Sequence, residues 1–191
     1  GVGDPVGTIR DKSGNGFHLA APSDAGRPVL RESGGLYWLE FDGVDDFMSV
    51  AIPTDGVSGT DRAAMIALEV LGTPVDGPDC YNLMENADGF ARFNIFIKAT
   101  TNDLLSDGSS NQLASGPRPS GPHTVYAHSV GSQSAITFND GALLTGDGGR
   151  PAKWRTVIIG ENAADGSLWG RPAHMKFFGA VLKDAEIAPA D

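Results

Sequence analysis

The chain has 191 residues, 40% hydrophobic and 20% charged, with 26 Gly, 12 Pro and a formal net charge of −10. This length and composition are typical of one globular domain over residues 1–191, built from short strands and turns and not from a helical bundle. The acidic balance argues against nucleic acid as a partner, because phosphate binding needs a concentrated basic face and the 14 Lys and Arg are spread along the chain.

Cysteine usage, hydropathy and the first residues limit the interpretation further. Cys80 is the single cysteine, which excludes an internal disulfide and favours a partly buried apolar side chain. No apolar run is long enough to span a bilayer. The chain opens with Gly1-Val2-Gly3-Asp4-Pro5, without Met or a signal peptide, so we expect a fragment cut from a longer polypeptide.

Short apolar or alternating runs, bounded by Gly, Pro, Asn and Asp, recur along the chain and predict β-strands. The predicted strands are Leu36–Asp42, Phe47–Ile52, Ala64–Leu71, Ala91–Lys98, Thr124–Val130, Ala135–Asn139, Thr156–Gly160 and Met175–Leu182. A short C-terminal helix is predicted over Asp184–Ala188, with Asp184 as its N-cap and Pro189 as its stop. The pattern therefore predicts an all-β fold: an antiparallel two-sheet β-sandwich, or jelly roll, that ends in this helix.

The run Ala91–Lys98 illustrates the two-residue period of a strand. Phe93, Ile95 and Ile97 share one face, which we expect to be core. Arg92 and Asn94 fall on the opposite face with Phe96 and Lys98, and we expect that face to be a shallow polar surface.

The stretch LEFDGVDD, residues 39–46, places four carboxylates within seven positions. Leu39 and Phe41 point to one side of the predicted strand, and Glu40 and Asp42 to the other. Gly43 then breaks the strand and leaves Asp45-Asp46 in a turn, so we expect that the acids do not converge on one face. Hydrolysis of a glycosidic bond needs two carboxyl groups roughly 5 to 10 Å apart, one with a raised pKa. The spacing therefore favours a turn over a catalytic pair.

Several blocks together resemble the concanavalin A-like lectin/glucanase domains of the laminin-G-like type. Asp11–Leu19 (DKSGNGFHL) and Leu39–Phe47 (LEFDGVDDF) carry the specific part of the resemblance. Ile136–Gly141, Thr156–Gly160 and Phe178–Ala188 are similar to later strands and to the closing helix of that family, in the same order. The jelly-roll glucanases carry Glu-x-Asp-x-x-Glu in the concave sheet; this chain differs, since it ends the motif on Asp45 and places Gly43 inside it.

The resemblance implies a jelly-roll sandwich of a kind found in bacterial surface proteins, extracellular glycan-active enzymes and bacteriophage virion proteins. Relatives of this type often hold a calcium ion on a rim loop. The candidate ligand sets here are Asp76, Asp79 and Asn82; Asp103, Asp107 and Asn111; and Asp45 with Asp46. We expect at most a structural Ca²⁺. The histidines His18, His123, His128 and His174 lack the spacing of a zinc site, and His18 is expected to hydrogen-bond beneath a loop.

Sugar binding needs an aromatic platform for the apolar face of a pyranose, flanked by planar polar side chains. Trp169, in a Gly-rich loop, is the predicted platform, with Tyr81 as a second aromatic candidate near a turn. Arg92, Asn94 and His128 are predicted polar contacts on adjoining strands. Trp38 lies within a predicted strand and is expected to be core.

The sequence contains no nucleophile elbow, phosphate-binding loop or dinucleotide fingerprint. We therefore predict a non-enzymatic recognition or structural module that binds carbohydrate, such as a host-surface glycan, or a neighbouring virion protein. A bacteriophage tail or capsid surface, or another extracellular setting, is expected from the resemblance. One alternative is a jelly-roll glycoside hydrolase that uses Glu40, Asp42 and Asp45; a second is an architectural domain that packs against copies of itself.

Overall fold

A computed structural model of the chain shows a β-sandwich. It describes residues 1–52, 62–72, 80–87, 93–98, 101, 103–107, 112–129, 134–139, 141–147, 156–160 and 171–183. Within these ranges the chain forms sixteen strands and no helix. None of the described residues belongs to a helix of the length and apolarity that crossing a membrane requires.

The strands follow one another closely along the chain. In order they are β1 (Thr8–Ile9), β2 (Leu19–Ala20), β3 (Val29–Ser33), β4 (Leu36–Asp42), β5 (Met48–Ala51), β6 (Arg62–Val70), β7 (Cys80–Ala87), β8 (Phe93–Lys98), β9 (Asp103–Asp107), β10 (Gln112–Pro117), β11 (His123–Ser129), β12 (Ser134–Phe138), β13 (Leu144–Gly146), β14 (Thr156–Ile159), β15 (Arg171–Pro172) and β16 (His174–Lys183).

The strands form two sheets. The seven-stranded sheet has the order β13-β12-β11-β6-β16-β4-β3, and the nine-stranded sheet has the order β1-β2-β5-β14-β7-β8-β9-β10 with β15 beside β7. All pairings are antiparallel except that of β15 with β7. The prediction of an all-β, two-sheet sandwich is confirmed, and each of the eight predicted strands is present within two residues of its predicted ends. The predicted helix, Asp184–Ala188, lies outside the described residues, and the single-domain assignment stays a prediction.

The core lies between the sheets and follows the two-residue period of the strands. In β4 it contains Leu39 and Phe41, and in β8 it contains Phe93, Ile95 and Ile97, as the alternation predicts. The rings of Phe41 and Phe177 on the neighbouring strand β16 meet edge to face, with centroids 6.1 Å apart.

Two glycines allow the end of β4 to pack against its neighbours. A Cβ at Gly160, just after β14, would lie 2.6 Å from Cδ1 of Phe41 and 2.8 Å from the carbonyl oxygen of Asp46. A Cβ at Gly43 would lie 2.8 Å from the backbone nitrogen of His174. Both glycines also have positive φ, 100° and 77° respectively, which other residues rarely adopt. The turn after β4 is therefore held by backbone packing that no larger residue permits.

His123 is a buried titratable group at the start of β11. It is 5% exposed and lies edge-on to Phe138, with ring centroids 6.3 Å apart. Its Nδ1 lies 2.8 Å from the Gly121 carbonyl oxygen and donates to it in the neutral ring, while its buried Nε2 has no hydrogen-bond partner in the described part of the chain. Burial lowers the pKa of His123; the Gly121 carbonyl and Glu69 oppose that effect, and Arg118 adds to it.

We expect the free energy of unfolding to fall as the pH drops below about 6.5, because the unfolded chain takes up a proton on His123 at its ordinary pKa while the folded chain resists it. The loss levels off below the lowered pKa of the folded state. Urea unfolding between about pH 8 and pH 5 measures the slope. His123→Asn, which keeps a hydrogen-bond donor near the position of Nδ1, should make the free energy of unfolding less dependent on pH. The matched variant His174→Asn, at an exposed histidine, should show the same pH dependence as the wild type. Equal slopes in wild type and His123→Asn contradict the prediction.

Candidate functional site

An aromatic and charged patch lies on the outer face of the seven-stranded sheet. Because Leu39 and Phe41 point into the core, Trp38 and Glu40 project from the opposite face of β4. The patch combines two aromatic rings with two cations and two carboxylates, and we call it the Trp38 face: Trp38, Phe178, Arg31, Glu40, Lys176 and Glu69. Tyr37, next to Trp38 in β4, is 58% exposed and has the opposite orientation in the alternation.

The aromatic part of the Trp38 face joins β4 to β16. The rings of Trp38 and Phe178 are tilted by 56° with centroids 6.3 Å apart, and Lys176 Nζ lies 5.1 Å from the centre of the Trp38 ring. A bulge between Phe177 and Gly179 shifts the register of β16 against β6 at Phe178. Trp38 is half-buried on the outer face, so the expectation that it belongs to the core was wrong. The alternation of β4 already placed Trp38 on the same side as Glu40 and was the signal that could have identified it.

The charged part is a row across four neighbouring strands, with Arg31 in β3, Glu40 in β4, Lys176 in β16 and Glu69 in β6. Lys176 is the register partner of Glu40 in β4 and of Glu69 in β6, so one cation stands between two carboxylates. Lys176 Nζ donates to Glu69 Oε2 at 2.7 Å, and Arg31 Nε lies 3.4 Å from Glu40 Oε2. The two cations and two carboxylates balance, and their side chains remain 19% to 44% exposed. The row therefore offers both donors and acceptors to a ligand without a net charge.

The predicted sugar-contacting residues are not brought together in the part of the chain that the structure describes. Trp169 and Arg92 lie outside the described residues. Asn94 and Tyr81 belong to the nine-stranded sheet, where Asn94 faces outward and Tyr81 packs against the core. His128 lies in β11 of the other sheet, where its Nδ1 is 2.9 Å from the Tyr126 hydroxyl and Tyr126 is itself largely buried.

The outer face of β8 differs from the predicted shallow polar surface. Asn94 is 6% exposed and Phe96 is 4% exposed, so this face is covered. The Asn94 Oδ1 is buried without a hydrogen-bond partner among the described residues. Polar and apolar residues alternate in β8 as predicted, but alternation alone does not reveal whether the outward face meets solvent.

Three acids of LEFDGVDD converge in the turn between β4 and β5. Carboxylate oxygens of Asp42, Asp45 and Asp46 lie within 4.8 Å of one another, so the expectation that the acids of this stretch stay apart was wrong for these three. The positive φ of Gly43 turns the chain back on itself. Asp42 Oδ1 accepts the N–H groups of Val44, Asp45 and Asp46, with the shortest contact 2.8 Å from Val44, and Asp46 Oδ2 accepts the Asp42 N–H at 2.9 Å.

The ionisation of this acidic turn is perturbed at Asp46. Burial raises the pKa of its carboxyl; the hydrogen bond from the Asp42 backbone lowers it, and the charges of Asp42 and Asp45 raise it again. Glu40, the fourth acid of the stretch, is instead paired with Arg31 on the Trp38 face. The three acids that a hydrolase would use are therefore not brought together. Glu40 lies on the Trp38 face, whereas Asp42 and Asp45 lie in the acidic turn.

Of the other calcium ligand sets, Asp76, Asp79 and Asn111 lie outside the described residues. Asn82 is 2% exposed within β7, and the backbone of Asp103 and Asp107 belongs to β9.

His18 does hydrogen-bond within the loop, where its Nδ1 accepts the Asp11 N–H at 3.0 Å. Asp42 and Tyr81 also line a small cleft of about 210 Å³ together with His174.

Solved structures similar to this chain include a sialidase and botulinum neurotoxin chains, whereas no family model and no curated protein matches the chain. A Trypanosoma rangeli sialidase in complex with sialic acid is similar with a TM-score of 0.68 and 12% identity, over 98% of this chain and 30% of the sialidase chain. A structure of botulinum neurotoxin type C, whose cell entry depends on interaction with two ganglioside molecules, is similar with a TM-score of 0.59 and 8% identity, over 97% of this chain and 49% of that one. The binding domain of botulinum neurotoxin DC in complex with SialylT has a TM-score of 0.57 and 9% identity, over 97% and 48%.

These comparisons overturn the prediction that the chain is not an enzyme. A sialidase solved with sialic acid contains this fold along 98% of the present chain, so the absence of a familiar catalytic motif in the sequence does not exclude enzymatic function. At 12% identity the likeness establishes the shared β-sandwich. The present chain spans less than a third of the sialidase, and about half of the toxin chains that it matches.

The predicted structural Ca²⁺ can be tested at the acidic turn, whose oxygen donors are the kind that Ca²⁺ prefers. With Ca²⁺ at about ten times its dissociation constant, the melting temperature should rise by about 4 °C. Asp45→Asn should remove the rise, whereas Asp24→Asn, at an exposed carboxylate elsewhere, should retain it. A melting temperature that responds equally to Ca²⁺ and Mg²⁺, or a rise that persists in Asp45→Asn, contradicts a calcium site at this turn.

Proposed function

We propose that the chain binds carbohydrate through the Trp38 face. The observation that carries the proposal is the half-buried Trp38 ring beside a row of planar and charged groups that are partly exposed on the outer sheet face. An indole ring matches the apolar face of a pyranose, and the surrounding groups match its hydroxyls. Support also comes from the glycan-related proteins that share the fold.

The ion pairs of the Trp38 face hold charged groups in positions from which they can hydrogen-bond to sugar hydroxyls. Glu69 and Glu40 keep lone pairs that accept hydrogen bonds from sugar hydroxyls, while Lys176 and Arg31 donate to hydroxyl oxygens. Because Lys176 is already held by Glu69 at 2.7 Å, less side-chain freedom is lost when a ligand binds. The face therefore resembles a preorganised site more than a set of independent surface charges.

The biological setting in this proposal rests on the sequence blocks Asp11–Leu19 and Leu39–Phe47. They support a laminin-G-like module in a bacteriophage tail or capsid protein, located on a virion surface or outside the cell, where a host-surface glycan is the ligand. Electron microscopy of particles from a host that encodes the chain, with antibody raised against it, tests this placement. Label on the particle surface is expected, and label only on cell debris contradicts it.

Trp38→Ala should weaken glycan binding about tenfold, because it removes the stacking surface and leaves the charged row in place. A glycan array identifies a ligand of the wild type, and titration calorimetry with that ligand measures the change. Tyr37→Ala is the matched control, since Tyr37 is an exposed aromatic in the same strand with the opposite orientation.

Far-UV circular dichroism and a thermal melt establish that both variants are folded. The ligand incubated with the wild type is also chromatographed, so that any cleavage of the glycan is detected in the same experiment. An array without signal, or equal affinities for wild type and Trp38→Ala, contradicts the proposal.

A further inference from the structure

The seven-stranded sheet has an incomplete pairing in its interior. β16 pairs with β6 as far as Lys183, but it pairs with β4 only from His174 to Phe177. Beyond Phe177, the side of β16 that faces β4 has no strand partner among the described residues. A run of about five residues, roughly 17 Å of extended backbone, thus presents unpaired N–H and C=O groups within a sheet.

A groove of about 720 Å³ lies along this unpaired edge. Every residue from Phe178 to Leu182 lines it on one side, and the loop from Arg10 to Phe17 lines it on the other. Its floor is apolar and includes Val157 and Ile159 of β14, which belong to the core. The groove therefore opens directly onto the interior of the sandwich.

Beyond Phe177, the residues of β16 that face the interior of the sandwich are less buried than the residues opposite them in β6. Ala180 is the register partner of Ile66, which is fully buried, yet Ala180 itself is exposed. Leu182, opposite buried Ala64, is also partly exposed. Apolar surface that stays in contact with water raises the free energy of the folded chain. Covering it is favourable in proportion to the apolar area removed from water.

The rim of the groove is cationic in a chain that is otherwise acidic. Arg10 and Lys12 line it, both exposed, and neither makes an ion pair with another described residue. The Asp11 carboxylate between them is already engaged by the N–H and hydroxyl of Ser13 and by the N–H of Phe17. These hydrogen bonds lower the pKa of Asp11, and those from Ser13 have the largest effect. They also fix the conformation of the loop that lines this side of the groove.

We propose that this groove receives an extended segment of a partner protein as an additional strand between β16 and the 10–17 loop. The free edge of β16 supplies main-chain hydrogen bonds, and the apolar floor accepts alternate apolar side chains, which is the combination that strand addition uses. The cationic rim favours an acidic residue at one end of the segment. The inference does not rest on glycan binding at the Trp38 face, which requires no partner protein, although Phe178 borders both sites.

Amide hydrogen exchange on the purified chain tests the free edge. The amides within residues 178–182 that do not bond to β6 should exchange as fast as those of open loops, while the amides of Ile66 and Leu68 in β6 exchange slowly. Uniform slow exchange through residues 178–182 in the monomer overturns the proposal, because the edge is then already occupied.

Selection from a displayed library of random twelve-residue peptides tests the occupant. Peptides with alternating apolar residues and a terminal Asp or Glu should be enriched on the wild type. A synthetic peptide from that selection should bind at least tenfold more weakly when one central amide is N-methylated, since the methyl group removes an edge hydrogen bond. Failure to enrich the alternating pattern, or equal binding of the N-methylated peptide, overturns the proposal.

Ala180→Trp should fill the groove and weaken the selected peptide at least tenfold, while the matched change at Ala142, exposed on the approach to β13, should have no effect. Glycan binding should be unchanged in Ala180→Trp, which also verifies the fold. Light scattering distinguishes a second copy of the chain as the occupant: a dimer that Ala180→Trp dissociates contradicts a partner protein in this groove.

Discussion

The absence of a side chain at Gly160 is the constraint on which much of the sandwich depends. The ring of Phe41 and the backbone of Asp46 occupy the space in which a Cβ would lie, so the end of β14 can approach β4 and the following turn directly. Phe41 in turn meets Phe177 of β16 edge to face. This contact lies on the buried side of β4, which also includes Leu39. Because side chains alternate along β4, Trp38 and Glu40 project outward.

Much of the fold could be predicted because strand periodicity and turn chemistry are local properties. β4 was predicted to the residue, and the alternation of Phe93, Ile95 and Ile97 gave the buried face of β8. Eight of the sixteen described strands were not predicted. Among them, β3 and β7 were missed because VLRES has a short apolar run and CYNLMENA carries two asparagines that weaken the strand pattern.

The site was harder to predict, because it depends on which strands become neighbours. Glu40, Lys176 and Glu69 are far apart in the chain and meet only through the order β4-β16-β6, which no local pattern encodes. Asn94 was placed on the correct side of its strand, but its burial depends on what covers the sheet. Convergence of Asp42, Asp45 and Asp46 was missed since the alternation rule applies to strands and ends at Gly43, where the backbone reverses.

The charged row has a consequence for the kinetics of folding. It joins residues 40, 176 and 69, so it is complete only after β16 has inserted between two strands made much earlier in synthesis. Such non-local contacts form late and slowly. A ligand that binds the Trp38 face, as proposed, would therefore recognise only chains in which β16 is in place, and by mass action it would draw the population towards that state. An affinity column that carries such a ligand would retain fully folded molecules and would not retain molecules in which β16 has not yet joined the sheet.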